Sequence, residues 1–358
     1  MSYYMTRRKA MTAGVASSGM LLGASCSQPE QTETTLPPQI SQSRTLSDVW
    51  GEDFLMQWSP PGNVKRDLTP GSSPIRISCE AFRLRPPKKM SYPEQIKAIR
   101  DAGYTGCEAG SADWDYSITD SQIRELQAIL KEHDVLFYTL HTWVNIIHPD
   151  PSERQKNQKH VAQAVEMADR LGMNFILTHT GGCDPKSKDR PHKDNWTRQT
   201  WEMSVAATKQ ILNDTTGSKV NLAFEAVNSC NNNTPKSHVR LKEDVGDERV
   251  KVMLDPSNML HAGTIFRTTE LINECFDLLG EDIMYAHAKD QVWTRMMPSI
   301  VGVTLGEGTM DYELYLARLS RLKYSRALLI EHLSNEQYPP SKKFLEDTAA
   351  KVGVTIYS

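Results

Sequence analysis

The chain has 358 residues, 24% of them charged, with 41 Lys and Arg against 44 Asp and Glu for a formal net charge of −3. That balance excludes a binder of polyanions that works through bulk positive charge. Hydrophobic residues at 39%, with 20 Gly and 19 Pro, exclude a disordered or fibrous chain, and no run of apolar residues is long enough to span a bilayer.

Taken in order, the chain opens on Thr6-Arg7-Arg8-Lys9 ahead of a mildly apolar run from Ala10 to Ala24, the pattern of a twin-arginine export signal. The run ends Leu22-Gly23-Ala24-Ser25-Cys26, close to a lipoprotein box but with Gly23 where Leu is usual. Residues 1–26 therefore predict export, to the periplasm or to the membrane through a lipid anchor at Cys26, with a plain cleaved signal as the alternative. Twin-arginine export moves folded proteins, often with a cofactor in place. Residues 27–74 are rich in Gln, Thr, Ser and Pro and predict an extended tether, along which the patch from Val49 and Trp50 to Trp58 reads as a surface strap. The six cysteines, Cys26, Cys79, Cys107, Cys183, Cys230 and Cys275, contain no CxxC pair and predict free thiols.

From residue 75 onward, short β-prone apolar runs alternate with segments of helical period. Strands are expected at 75–79, 104–108, 135–141, 174–179, 220–225, 250–255, 283–287 and 327–331, and helices at 92–102, 120–133, 152–171, 196–212, 268–279 and 312–322. Ser91, Asp120 and Ser152 stand at helix starts as capping residues. Eight strands with crossover helices predict an α/β fold, a single (β/α)8 TIM barrel over 75–358 carrying the N-terminal signal and tether. An open dinucleotide-binding sheet is disfavoured, because no G-x-G-x-x-G follows the first strand.

Several of these apolar strands end in one acid or imidazole: Glu108, His141, His179, Glu225, Asp255, His287 and Glu331. In a barrel the carboxyl ends of all strands meet at one rim, so these residues become neighbours. Burying several carboxylates together is expensive without a cation. Glu225, Asp255, His287 and Glu331 end four consecutive strands, and three carboxylates with one imidazole suit Mn²⁺ best, with Mg²⁺, Co²⁺ and Zn²⁺ as alternatives. His141 and His179 are expected to touch substrate, to support the ligands or to bond backbone.

The segments Ala223-Phe224-Glu225-Ala226-Val227-Asn228, Leu254-Asp255-Pro256-Ser257-Asn258, Ala286-His287-Ala288-Lys289-Asp290, Gly306-Glu307-Gly308 and Leu329-Ile330-Glu331-His332 recur in an order that resembles the sugar phosphate isomerase/epimerase proteins of the xylose isomerase-like barrel superfamily. The likeness runs from about Ile75 to the C-terminus. It implies one divalent metal on Glu225, Asp255, His287 and Glu331. It also implies that Glu225 and Glu331 exchange a proton beside a substrate carbonyl through an enediolate. In the endonuclease IV branch of the superfamily the residue three after the strand-six Asp is a metal-binding His. Here it is Asn258, and no Asp-x-His pair follows Gln291, so a nuclease site looks incomplete and no nucleic-acid partner is expected.

The leading expectation is thus an exported, metal-dependent sugar isomerase or epimerase. The alternatives are a lyase that starts from the same proton abstraction and expels the aglycone of a 3-keto-glycoside, and a non-catalytic sugar-binding lipoprotein. Around the metal, the loops offer Trp143 and Asn145, Asn228 and Asn258, and Lys289, Trp293 and Arg295, with Glu108 at the rim. Aromatic faces suit sugar CH groups and lysine suits sugar oxygens. Lys289 is the catalytic candidate among them, its structural alternative being an ion pair with Asp290. A homo-oligomer is expected by analogy.

Overall fold

The computed structural model describes residues 64–80, 91–111, 114–294, 299–324 and 326–357. The expected signal, Cys26, the tether up to residue 63, the Trp50–Trp58 patch and Arg295 lie outside the described residues.

Eight parallel strands close on themselves: β1 (Ile75–Glu80), β2 (Gly106–Gly110), β3 (Leu136–His141), β4 (Phe175–Thr178), β5 (Asn221–Glu225), β6 (Val250–Leu254), β7 (Ile283–Ala288) and β10 (Arg326–Ile330). Each pairs with the next, and β10 returns to β1 in the register Ile75 with Arg326 to Cys79 with Ile330. A short antiparallel hairpin, β8 (Asp290–Thr294) and β9 (Ser299–Val303), is inserted between β7 and the next helix. The short strand β11 (Ile356–Tyr357) adds to the start of β1. Eight α-helices are found among the described residues: α1 (Tyr92–Asp101), α2 (Asp120–Glu132), α3 (Pro151–Leu171), α4 (Arg198–Asp214), α5 (Pro235–Val245), α6 (Thr268–Leu279), α7 (Tyr312–Ser320) and α8 (Tyr338–Val352). No described helix is long and apolar enough to cross a membrane.

The helix starts follow capping chemistry. Ser91 caps α1 in a reciprocal box with Glu94, but α2 is capped by Thr119 rather than Asp120, and α3 by Asp150, whose carboxylate accepts from the N–H groups of Ser152 and Glu153 ahead of Pro151. Ser152 is therefore inside its helix. The five described cysteines are unpaired. Within the stretch expected as tether, residues 64–74 are fastened to the barrel. Arg66 bonds Asp311 and Glu313, while Arg321 donates to the carbonyls of Asp67 and Thr69.

The core has two parts. A large apolar layer separates strands from helices, and a smaller cluster of Phe175, Leu177, Ala223, Met253, Tyr285, Ala327 and Leu329 fills the barrel interior. Strand side chains alternate faces with a period of two. The inward series Phe175-Leu177-His179, Ala223-Glu225, Met253-Asp255, Tyr285-His287 and Ala327-Leu329-Glu331 therefore runs from apolar floor to polar rim. That alternation places the functional groups.

One buried group makes the fold acid-sensitive. His238 on α5 is buried, and burial pushes its imidazole down to about 4. The unfolded chain takes up this proton near pH 6.5 and the folded chain only near 4. Its contribution to stability is therefore present above pH 6.5 and lost as pH falls to about 4, by about 3 kcal/mol. Urea unfolding at pH 7 and pH 4.5 should show a drop that shrinks markedly in His238→Gln; an unchanged drop refutes the assignment.

Candidate functional site

The structure brings the four strand-end residues together. One ligand atom from each of Glu225, Asp255, His287 and Glu331 lies within 4.8 Å of all the others, and all four residues are buried. His287 Nδ1 is 2.6 Å from Glu331 Oε1, 3.7 Å from Glu225 Oε1 and 3.8 Å from Asp255 Oδ2. Asn258 donates its amide to Glu225 Oε1 at 2.5 Å and its backbone N–H to Asp255 Oδ1 at 3.2 Å.

Lys289, the residue after β7, points into this set. Its ammonium is 2.7 Å from Asp255 Oδ2, 2.5 Å from Glu331 Oε1 and 3.6 Å from Glu225 Oε1. These are close ionic contacts, yet Asp255 Oδ2 and Glu331 Oε1 have no hydrogen-bond partner of proper direction among the described residues. The expected alternative for Lys289, an ion pair with Asp290, is not what forms.

Asp290 instead turns away to clamp the loop that follows the hairpin. It accepts backbone N–H groups from Gly306 at 2.9 Å, Gly308 at 3.0 Å, Met310 at 3.1 Å and Gln291 at 3.0 Å. Gly308 is required there, since a Cβ would sit 2.0 Å from Asp290 Oδ1. Asp290→Ala strands those donors in a mostly buried site and should cost roughly 1–3 kcal/mol in urea unfolding. A change below about 0.5 kcal/mol would contradict the clamp.

The electrostatics are those of crowded carboxylates. Burial lifts the Asp255 carboxyl to about 6, aided by Glu225 and Glu331 and resisted by Lys289. Glu225 and Glu331 stay ionised far below the usual range: burial opposes this, but the charges of Lys289 and His287 outweigh it for both. The same acids hold His287 and Lys289 protonated against their burial.

The second group of expected residues sits beside the first. His141 and His179 share a 2.9 Å contact between their Nε2 atoms, His179 Nε2 is 3.3 Å from Glu225 Oε2, and Glu108 lies 3.5 Å from both His141 and His287. Burial, with Lys188 and His141 nearby, keeps His179 neutral despite Glu225. Glu108 stays ionised against burial through His141 and His287. Trp143 is 46% exposed, with the His141 ring centroid at 4.6 Å and the Lys188 ammonium 3.8 Å from its own centroid. Asn228 and Asn145 spend their amides on the carbonyls of Leu260 and Gly182 and so brace loops. Trp293 is on β8, in the hairpin rather than in a loop.

Two further residues were not found from sequence. Lys188, its side chain only 8% exposed, lies in the loop after β4 and is paired with Asp189, in a charged stretch that carries no signal. His332 falls within a recognised segment but has a role only in three dimensions. Its backbone is left-handed, with φ +57°, and its Nε2 lies 3.3 Å from Glu331 Oε2.

The donor set fits a divalent cation. Three carboxylates and an imidazole converge in a buried place, and Asp255 Oδ2, Glu331 Oε1 and both His287 nitrogens lack hydrogen-bond partners there among the described residues. Lys289 is the cationic neighbour such an ion would meet.

Comparison with known proteins agrees with this architecture. The family model for the xylose isomerase-like TIM barrel matches residues 96–349. No curated protein matches the chain in sequence. Among similar solved structures is a xylose isomerase-like TIM barrel protein from Mycobacterium smegmatis in complex with magnesium. It is 14% identical with a TM-score of 0.59, and the match covers 78% of this chain and 98% of that one. D-psicose 3-epimerase with D-tagatose from Clostridium cellulolyticum H10 is 15% identical with a TM-score of 0.58, covering 78% and 100%. Endonuclease IV from Thermus thermophilus is 14% identical with a TM-score of 0.59, covering 77% and 99%. With a family model spanning most of the barrel, the chain belongs to the xylose isomerase-like TIM barrel family.

Proposed function

We propose that this protein is a divalent-metal-dependent sugar isomerase or epimerase that moves the proton on the carbon beside a carbonyl. The convergence of Glu225, Asp255, His287 and Glu331, with partnerless ligand atoms among them, carries this reading. The sugar epimerases among the similar structures support it at the level of fold. Mn²⁺ is the ion we favour for this oxygen-rich set. We further propose that the protein works after export, in the periplasm or anchored at Cys26, on the strength of the Arg7-Arg8 pair and the mildly apolar run from Ala10 to Ala24.

A divalent ion on these four residues would polarise the substrate's carbonyl and favour loss of the neighbouring proton. The protein supplies the rest. Glu331 has Oε1 within the cluster and Oε2 beside His332, so the second oxygen serves as base. Glu225 is divided in the same way, with Oε1 held by Asn258 and Oε2 beside His179. Glu331 directly follows β10 and Glu225 ends β5, with β6 and β7 between those strands, so the two acids reach a bound carbon from different sides. One removes the proton and the other returns it.

Incubation with free ketoses and with 3-keto-glucosides in deuterated water tests the proposal. Deuterium at the carbon beside the carbonyl, together with an epimer or isomer, is the expected result. Aglycone release without an epimer would replace it with β-elimination. An absence of exchange with every sugar, with metal bound, would reject it.

A further inference from the structure

We infer that metal binding in this protein is an exchange, in which the incoming divalent ion takes the place of the Lys289 ammonium among Asp255, Glu331 and Glu225. The inference rests on the metal reading given above and concerns how the ion enters.

The argument starts from which atoms are shared. Lys289 Nζ contacts Asp255 Oδ2, Glu331 Oε1 and Glu225 Oε1. His287 Nδ1 faces the same three oxygens. The ammonium therefore stands at the focus of the ligand set, where it supplies part of the positive charge that three buried carboxylates demand. A divalent ion bound to those oxygens would need the place the ammonium occupies, and repulsion between two cations so close, away from bulk water, strongly disfavours holding both.

The structure also provides for its departure. The directed hydrogen bond of the Lys289 ammonium runs to Asn258 Oδ1 at 3.2 Å. Its contacts with Asp255 Oδ2 and Glu331 Oε1 lack hydrogen-bond direction. Leaving those oxygens therefore breaks no aligned bond, and a lysine stem has four flexible torsions with which to swing. Asn258 donates to Glu225 Oε1 through its other amide atom, so it can hold that ligand while the ammonium moves. Exchange has a measurable consequence: the ion competes with an internal cation, and its apparent affinity is lower than the donor set alone would give.

Two measurements on the full chain test this. Titration of chelator-treated protein with Mn²⁺ should show Lys289→Met binding about tenfold more tightly than the unaltered protein, or better. Acetic anhydride labelling of the unaltered protein, read by mass spectrometry, should show Lys289 modified more readily once Mn²⁺ is added, with Lys188 and the surface lysines as internal references. Equal or weaker binding by a folded Lys289→Met overturns the inference, as does labelling of Lys289 that Mn²⁺ leaves unchanged or suppresses. If the variant fails to fold, the labelling alone decides. Binding by neither protein would instead reject the metal reading itself, and this inference with it.

Discussion

Glu225→Gln and Glu331→Gln are each expected to slow exchange of the substrate's carbon-bound proton by at least ~10³-fold, the upper part of what a positioned acid or base contributes. Glutamine keeps the volume and one carbonyl oxygen of the side chain but has no basic oxygen. Both residues are buried in contact with His287, so metal content must be measured on the same samples. Loss of exchange with metal retained assigns the residues as acid and base. Loss of both traces the defect to the ligand set. Exchange that persists unchanged in both variants rejects the two-acid mechanism.

Asp255→Asn is expected to weaken divalent-metal binding by at least ~100-fold, as loss of a direct ligand should exceed the effect of losing a supporting residue. It should not lower the melting temperature of the metal-free protein. Burial and two neighbouring glutamates hold the Asp255 carboxyl at about 6, so the folded chain disfavours its charge at neutral pH. A neutral amide relieves that repulsion. Elemental analysis and thermal unfolding in chelator give the two readings. A variant that keeps its metal, or unfolds at much lower temperature, would show that Asp255 serves packing rather than ligation.

Much of this was legible in the sequence, for a physical reason. Strands of a closed parallel barrel are covered on both faces, so they read as short apolar runs, and the eight expected runs coincide with the observed strands to within about two residues. Their polar ends stood out because an acid beside Ala223, Met253 or Leu329 interrupts an otherwise apolar stave. The helices α5 and α8 were not read: α5 opens on Pro235 and α8 carries Pro339 and Pro340 in its first turn, and prolines read locally as breaks in a helical pattern. The hairpin of β8 and β9 was also missed: its strands are half-exposed and follow β7 after one residue, so nothing in the local pattern separates them from a loop. Side-chain direction was beyond reach in the same way. That Lys289 faces Asp255 and Glu331 while the adjacent Asp290 faces the Gly306 to Met310 backbone follows from their alternation along the chain, which composition does not reveal.

The left-handed backbone at His332 has a consequence for anyone improving this protein. A side chain with a Cβ is disfavoured at φ +57°, and glycine would sit there more easily. The barrel keeps an imidazole at that bend, against the outer oxygen of Glu331. Selection for heat tolerance alone would therefore drift toward glycine at position 332 and discard the contact between the imidazole and Glu331.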